Sequence, residues 1–173
     1  KIAKMYQKGI GIKQDYIEAV RWYTKAVRRG DVKAQYNLAK IYQNGWVGYE
    51  DEDKALDYYE KAASQGFFKA QFEIGMVYQK REHYEEAIKW YSLATENIDA
   101  VKNNKKLAQV QFNLGLLYEK QENYDKAFQY YEKAASQGYA SANTKLGWMY
   151  QHGKGVEINM EKALEYYSKG AQF

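Results

Sequence analysis

The sequence predicts an all-helical fold, an α/α superhelix (solenoid) of about five helix-turn-helix repeats. Three observations lead there. The nine residues Tyr-Tyr-Glu-Lys-Ala-Ala-Ser-Gln-Gly occur twice, at Tyr58–Gly66 and at Tyr130–Gly138, 72 residues apart. An aromatic pair recurs at Trp22-Tyr23, Tyr58-Tyr59, Trp90-Tyr91, Tyr130-Tyr131 and Tyr166-Tyr167. A lone Tyr precedes each pair, at Tyr6, Tyr42, Tyr78, Tyr118 and Tyr150, with intervals of 36, 36, 40 and 32 residues. Periods of this size mark helix-pair repeats. One pair cannot bury its own apolar stripe, whereas stacked pairs bury each other's, so the same surface recurs in each copy.

Each copy holds two helical patterns. In the second, Ala34, Leu38, Ile41 and Tyr42 step by three and four residues, as do Ala55, Tyr58, Tyr59 and Ala62 after a short gap, which is helix spacing. A small residue lies three before four of the lone tyrosines (Ala39, Gly75, Gly115, Gly147), and Leu38, Ile74, Leu114 and Leu146 precede these. The second helix carries an Ala four residues before its second aromatic: Ala19, Ala55, Ala87, Ala127, Ala163. Its predicted N-caps are Asp15, Asp51, His83, Asn123 and Asn159, since a side-chain oxygen there accepts from a free backbone N–H. Asp15 with Glu18 has the spacing of a capping box. Gly30, Gly66 and Gly138 are the stop signals. The expected layout is a single array over 1–173, with copies at about 1–31, 32–67, 68–103, 104–139 and 140–173, and ten helices counting a truncated first one. Because the first helix is short and Phe173 falls where another copy would open, the chain reads as an excerpt of a longer protein.

Composition narrows the function classes. Aromatics make up 17% of the chain and Tyr alone counts 19, too many apolar rings for a disordered polymer. The 26 basic and 22 acidic residues give a net charge of +4. They intermix, and this balance alone does not suggest nucleic acid. No apolar stretch is long enough for membrane insertion. Cys is absent, which removes disulfides, thiolate metal sites and a Cys nucleophile. With no visible signal peptide this leans toward the cytoplasm without fixing a compartment. His83 reads as a helix cap and His152 as a surface residue at a helix end. They sit in different copies with no acid at ligand spacing, so no metal is expected. The Gly9 and Gly153 stretches are turns that do not continue into a phosphate loop. Carboxylates lie beside lysines on polar faces, as in Glu60-Lys61. No catalytic constellation is visible, no cofactor is implied, and the expectation is a non-enzyme.

Two stretches, Lys33–Gly66 and Ser141–Ala171, resemble Sel1-like repeats, a helix-pair family related to tetratricopeptide repeats. The resemblance rests on Leu146, Gly147, Met149, Tyr150, Gly153, Gly155 and Val156, and on Lys162, Ala163, Tyr166, Tyr167 and Lys169. Copies three and four differ. From lone Tyr to second aromatic is 17 residues in copies one, two and five, but 13 from Tyr78 to Tyr91 and from Tyr118 to Tyr131. Those short turns resemble ordinary tetratricopeptide repeats, so the array is mixed. The resemblance implies an adaptor-type scaffold for a protein or peptide, with first helices lining a concave groove. Secreted relatives linked to beta-lactam chemistry are Cys-rich, and that property does not carry over. The alternative is a structural spacer in a larger multi-domain protein. Oligomeric state stays open.

On the first helices, residues three, seven and ten apart share a face. The rows run Lys33, Tyr36, Lys40, Gln43; then Lys69, Phe72, Met76, Gln79; then Gln109, Phe112, Leu116, Glu119; then Ser141, Thr144, Trp148, Gln151. Tyr36, Phe72 and Phe112 belong to the common pattern and serve either packing or ligand contact. Met76, Leu116 and Trp148 break the pattern with apolar residues and form either a partner-binding strip or a surface buried by curvature. Asn37, Asn113 and Lys145, with Lys40 in the same face, are candidates to grip a peptide backbone or carboxylate. Between Tyr91 and Tyr118 the gap is 27 residues against 19 elsewhere, enough to lengthen two neighbouring helices by about one turn, with Asn103-Asn104 at the tip of a hairpin. That insertion is a tolerated rim feature, a partner contact, or a phosphate or membrane contact through Lys102, Lys105 and Lys106.

Overall fold

The computed structural model describes residues 1–97 and 104–171. Among them are ten helices and no strand. They divide into two compact units, Lys1–Val77 and Tyr78–Phe173. The first unit holds α1 (Ile2–Lys8), α2 (Tyr16–Val27), α3 (Val32–Gln43), α4 (Glu52–Ala63) and most of α5 (Phe68–Lys80), within which the boundary falls. Here α1 packs on α2, α2 on α3, and α3 on α4. The second unit holds α6 (Tyr84–Glu96), α7 (Asn104–Lys120), α8 (Tyr124–Ser136), α9 (Ala140–His152) and α10 (Met160–Gly170). Each of these packs on the next. No helix among the described residues is long and apolar enough to cross a membrane.

The helix starts follow the caps. Asp15 accepts from the Glu18 N–H at 2.9 Å, Asp51 from Lys54 at 2.9 Å, Asn123 from Lys126 at 3.3 Å and Asn159 from Lys162 at 2.9 Å. Asp31 does the same for α3 through the Ala34 N–H at 2.9 Å. Two expectations are corrected. His83 occupies the cap position of α6 but makes no side-chain cap bond, and its ring lies 6.2 Å from that of Tyr78. Glu18 does not close a capping box, because its carboxylate pairs with Arg21 at 2.5 Å. Gly30, Gly66 and Gly138 all stand at positive φ. There the backbone N–H of Asp31, Phe67 and Tyr139 returns to Ala26, Ala62 and Ala134.

Long and short turns close with one bond. The N–H of the cap residue donates to the carbonyl of the lone Tyr in every copy: Asp15 to Tyr6, Asp51 to Tyr42, His83 to Tyr78, Asn123 to Tyr118 and Asn159 to Tyr150, at 2.9–3.0 Å. The four extra residues of the long turns loop out between fixed ends. In the short turns, Glu82 and Glu122 take left-handed φ of 61° and 58° without being Gly. The predicted helix extension appears on α7, with 17 residues against 13 for α9, whereas α6 has the same 13 as α8. The hairpin tip at Asn103 and the residue Lys102 lie outside the described residues.

The core repeats with the sequence. Ala19, Ala55, Ala87, Ala127 and Ala163 are buried, as are Leu38, Ile74, Leu114 and Leu146. Tyr59, Tyr91 and Tyr131 are fully buried. The small residue of the first helix makes room for this ring. A Cβ added to Gly115 would fall inside contact distance of the Tyr131 ring, and one on Gly147 would lie 2.9 Å from the Tyr167 ring.

Two outcomes follow. Gly→Ala inside a helix normally gains about 1 kcal/mol. Gly115→Ala should instead lose stability, by roughly 1–3 kcal/mol, because the Tyr131 ring has nowhere to go. Gly147→Val should cost a similar amount, and Gly147→Ala less, because Tyr167 is only half-buried and can yield. Urea midpoints at or above wild type for Gly115→Ala would show that the helices separate freely. In the short turns, Glu82→Gly and Glu122→Gly should each raise the urea midpoint, with a gain of about 0.5–1 kcal/mol. The left-handed cost of roughly 1–2 kcal/mol for a non-Gly residue exceeds the entropy Gly adds to the unfolded chain. A lowered midpoint in both would count against strain at these positions.

Candidate functional site

The first helices present the rows that the sequence singles out, and the structure sorts their members into packed, cross-linked and exposed. Tyr36 is packed: its ring sits 5.7 Å from Tyr59 and 5.2 Å from Phe67, and its hydroxyl reaches Glu73 at 3.2 Å. Phe72 is buried at 3% exposure. Phe112 bridges Tyr131 and Tyr139 at 5.5 and 4.9 Å. All three rings make packing contacts.

The polar candidates are cross-linked. Lys40 Nζ lies 3.5 Å from Glu73, a carboxylate that is itself buried. Lys145 donates to both oxygens of Glu119, at 2.9 and 3.0 Å. Asn113 donates to the Tyr91 hydroxyl at 3.0 Å. Asn37 turns back onto the Lys33 carbonyl at 2.7 Å. Lys40–Glu73, Asn113–Tyr91 and Lys145–Glu119 each join one helix pair to the next.

The residue after each lone Tyr, the last member of each row, accepts a hydrogen bond from the second tyrosine of its helix pair. Tyr23 donates to Gln7, Tyr59 to Gln43 and Tyr167 to Gln151 at 2.7 Å, Tyr91 to Gln79 at 2.8 Å, and Tyr131 to Glu119. The signal was present in the sequence, since Gln7, Gln43, Gln79, Glu119 and Gln151 recur in register with the tyrosines.

What remains exposed is copy-specific. In the first unit Met76 is 41% exposed. In the second unit Leu116 and Trp148 lie half-buried at the edge of a core formed by Ala127, Tyr131, Ala134, Ala142, Leu146 and Met149. Trp148 stacks on the exposed His152, ring centroids 4.7 Å apart, and His152 Nδ1 lies 2.9 Å from the Trp148 carbonyl oxygen. Among the described residues no group of three or more His, Cys, Asp or Glu is placed to hold a metal ion.

Repeated helix pairs, one fixed closing bond and a periodic tyrosine define a helical-repeat protein. The chain belongs to the Sel1 repeat family: the pattern of that family matches residues 1–31, 32–67 and 140–172. The tetratricopeptide repeat pattern matches 67–137, where the short turns lie. Similar solved structures include a protective antigen from uropathogenic Escherichia coli with an SLR fold (32% identity, TM-score 0.77). The alignment covers 98% of this chain and 36% of the antigen's. A Sel1 repeat protein from Oxalobacter formigenes is 28% identical with a TM-score of 0.80, over 99% of this chain and 68% of that one. YrrB, a tetratricopeptide protein with an unusual peptide-binding site, shares the fold at 23% identity and a TM-score of 0.62, over 88% and 75% of the two chains. The chain thus spans little more than a third of the antigen. No curated protein matches it. Repeats of both families are in general protein–protein interaction modules, and proteins built from them are typically scaffolds rather than enzymes.

The core tyrosines set an alkaline limit. Burial, and next the charge of Asp31, pushes the Tyr23 phenol up to about 12. Burial likewise raises Tyr59, Tyr131 and Tyr36, the carboxylates Glu73 or Glu119 adding to it. A phenol raised above its unfolded value of about 10 stabilises the fold fully below that pH. The contribution fades as pH climbs through the folded value. Helix ellipticity should hold to about pH 10 and fall between there and about 12. Tyrosinate absorbance at 295 nm should rise in two steps, the later one tracking the loss of helix. Complete ionisation with ellipticity intact would contradict this burial.

Proposed function

We propose that the chain is a non-enzymatic interaction scaffold or adaptor that holds a peptide or protein segment in a groove lined by its first helices. The observation that carries the reading is the contrast within one row. The common aromatic positions and the polar positions make packing contacts and cross-links, while Leu116 and Trp148, packed at the edge of the core, stay only partly buried at a position where the repeat pattern does not require an apolar residue. Exposed apolar surface of this kind marks interaction sites. Met76 is the corresponding exposed residue of the first unit. The general role of both repeat families supports the same reading.

Trp148→Ala tests it. A Trp anchor at an interface often costs more than about 2 kcal/mol when truncated, a thirtyfold or greater loss of affinity. The stability loss should stay below the roughly 3–5 kcal/mol of a core Trp→Ala change, since Trp148 only edges the core. Wild type and variant would be immobilised in parallel and the captured partner titrated against both, with urea unfolding alongside. A folded variant that keeps full affinity removes Trp148 from the site. Absence of any stoichiometric partner at tens of micromolar would favour the spacer reading.

A further inference from the structure

In three copies a tyrosine opens the second helix directly after the cap: Tyr16 in α2, Tyr84 in α6 and Tyr124 in α8. Each ring is covered from the following copy, by the end of its first helix or by its turn. In the second unit the cover is a cation. Lys120 Nζ lies 4.2 Å from the centre of the Tyr84 ring, and Lys154 Nζ 4.7 Å from that of Tyr124. Lys154 follows the turn glycine Gly153, and at the same place in the second copy, after Gly45, stands Trp46. Its indole stacks on Tyr16, with ring centroids 5.1 Å apart and planes 27° from parallel. A position that supplies a cation in the last copy here presents a second aromatic surface.

The stack uses one face of the indole, and Trp46 is still 39% exposed. No lysine or arginine lies over it among the described residues. The surroundings are acidic in a chain of net positive charge: residues 13–18 and 44–54 carry six acids and two bases, against +4 for the whole chain. The two bases are Lys13, which is exposed, and Lys54, held over the Tyr42 ring at 4.3 Å. Asp15 and Asp51 cap helices and Glu18 pairs with Arg21. Glu50 is exposed and holds no ion pair. Its Cγ packs against Gly45, where an added Cβ would lie 3.1 Å away, so its carboxylate sits beside the turn that carries Trp46.

We infer that the Trp46–Tyr16 stack is a docking point for a basic segment of a partner protein, an Arg guanidinium lying on the outer face of Trp46 and pairing with Glu50. Arg fits better than Lys, because its planar guanidinium stacks on an aromatic face and pairs with a carboxylate at the same time. A nucleic acid or an anionic membrane fits worse, since either brings phosphates to a surface rich in carboxylates. The site lies on the turn edge of the first unit. The inference therefore goes beyond the groove reading, and either can fail without the other.

Trp46→Lys tests it from within. The variant recreates the arrangement of Lys154 on Tyr124 and fills the place a partner's cation would take. The probe is a short fluorescein-labelled Gly-Ser peptide with two Arg residues, read by anisotropy against matched peptides that carry citrulline or Glu instead. Citrulline keeps the planar shape and drops the charge. Wild type should bind the Arg peptide more tightly than the other two, and more weakly as salt rises. Trp46→Lys should lose about tenfold, with a urea midpoint close to wild type. Glu50→Gln should lose about threefold, and it decides alone if Trp46→Lys does not fold. Trp148→Ala should bind the probe as wild type does. Equal binding of the Arg and citrulline peptides overturns the inference, as does unchanged affinity in a folded Trp46→Lys or in Glu50→Gln. Loss of probe binding in Trp148→Ala would put the basic segment in the groove instead, which overturns this inference and leaves the scaffold reading standing.

Discussion

Everything in this fold hangs on a buried phenol. The second tyrosine of a helix pair fills the space between its two helices, and a ring of that size fits only where the facing first helix offers Ala or Gly. Its hydroxyl enters the interior with it, and a buried hydroxyl without a partner costs about 1–3 kcal/mol. The residue after the lone Tyr supplies that partner, Gln in four copies and Glu119 in the fourth. Small residue, lone Tyr and acceptor therefore stand at fixed offsets on one helix, as Gly147, Tyr150 and Gln151 do. The lone Tyr adds the other half of the arrangement. It stacks on the first aromatic of the following pair, Tyr42 on Tyr58, Tyr118 on Tyr130 and Tyr150 on Tyr166, with ring planes within 4–13° of parallel. Lysines lie over these rings, such as Lys54 on Tyr42 and Lys61 on Tyr58, and cover apolar faces that would otherwise meet water.

The same geometry explains how two repeat types share one chain. What a neighbouring pair sees is the position of the two helices, and that is set by the tyrosine contacts and by the bond from cap N–H to lone-Tyr carbonyl. Loop length between those fixed points is free. Copies one, two and five spend it on a Gly-containing excursion, and copies three and four omit it, at the cost of a left-handed glutamate at Glu82 and Glu122. The family patterns divide the chain along that line, with the Sel1 repeat on the long turns and the tetratricopeptide repeat across the short ones.

Most of this was legible in the sequence because it is local or periodic. Helix caps at Asp15, Asp51, Asn123 and Asn159, the buried alanines and the tyrosine register all follow from spacing alone. The exceptions share a cause. His83 sits at a cap position but stacks on Tyr78 instead, and Glu18 finds Arg21 within its own helix, so a nearer partner displaced the expected one. The pairing of Lys40 with Glu73 and of Lys145 with Glu119 depends on how closely consecutive helix pairs approach, a distance that no spacing rule states. Spacing places Gln43, Gln79, Glu119 and Gln151 on the first-helix rows but does not state that each meets a tyrosine hydroxyl of the second helix.

The candidate site emerges where periodic compensation lapses. A repeat protein solves the same packing problem in every copy, so polar groups on its first helices tend to find partners in the adjacent copy, and little chemistry is left for anything else. Lys40, Asn113 and Lys145 are examples of groups that find such partners. Departures from the pattern are then the informative positions. At Leu116 and Trp148 an apolar side chain stands where the period has Lys4 and Lys40, packed at the edge of the core, with the His152 ring stacked on Trp148. At Asn37 an amide stands where the next copy has the buried Glu73. Under the scaffold proposal, these departures, rather than the contacts repeated in every copy, are the positions a partner would read.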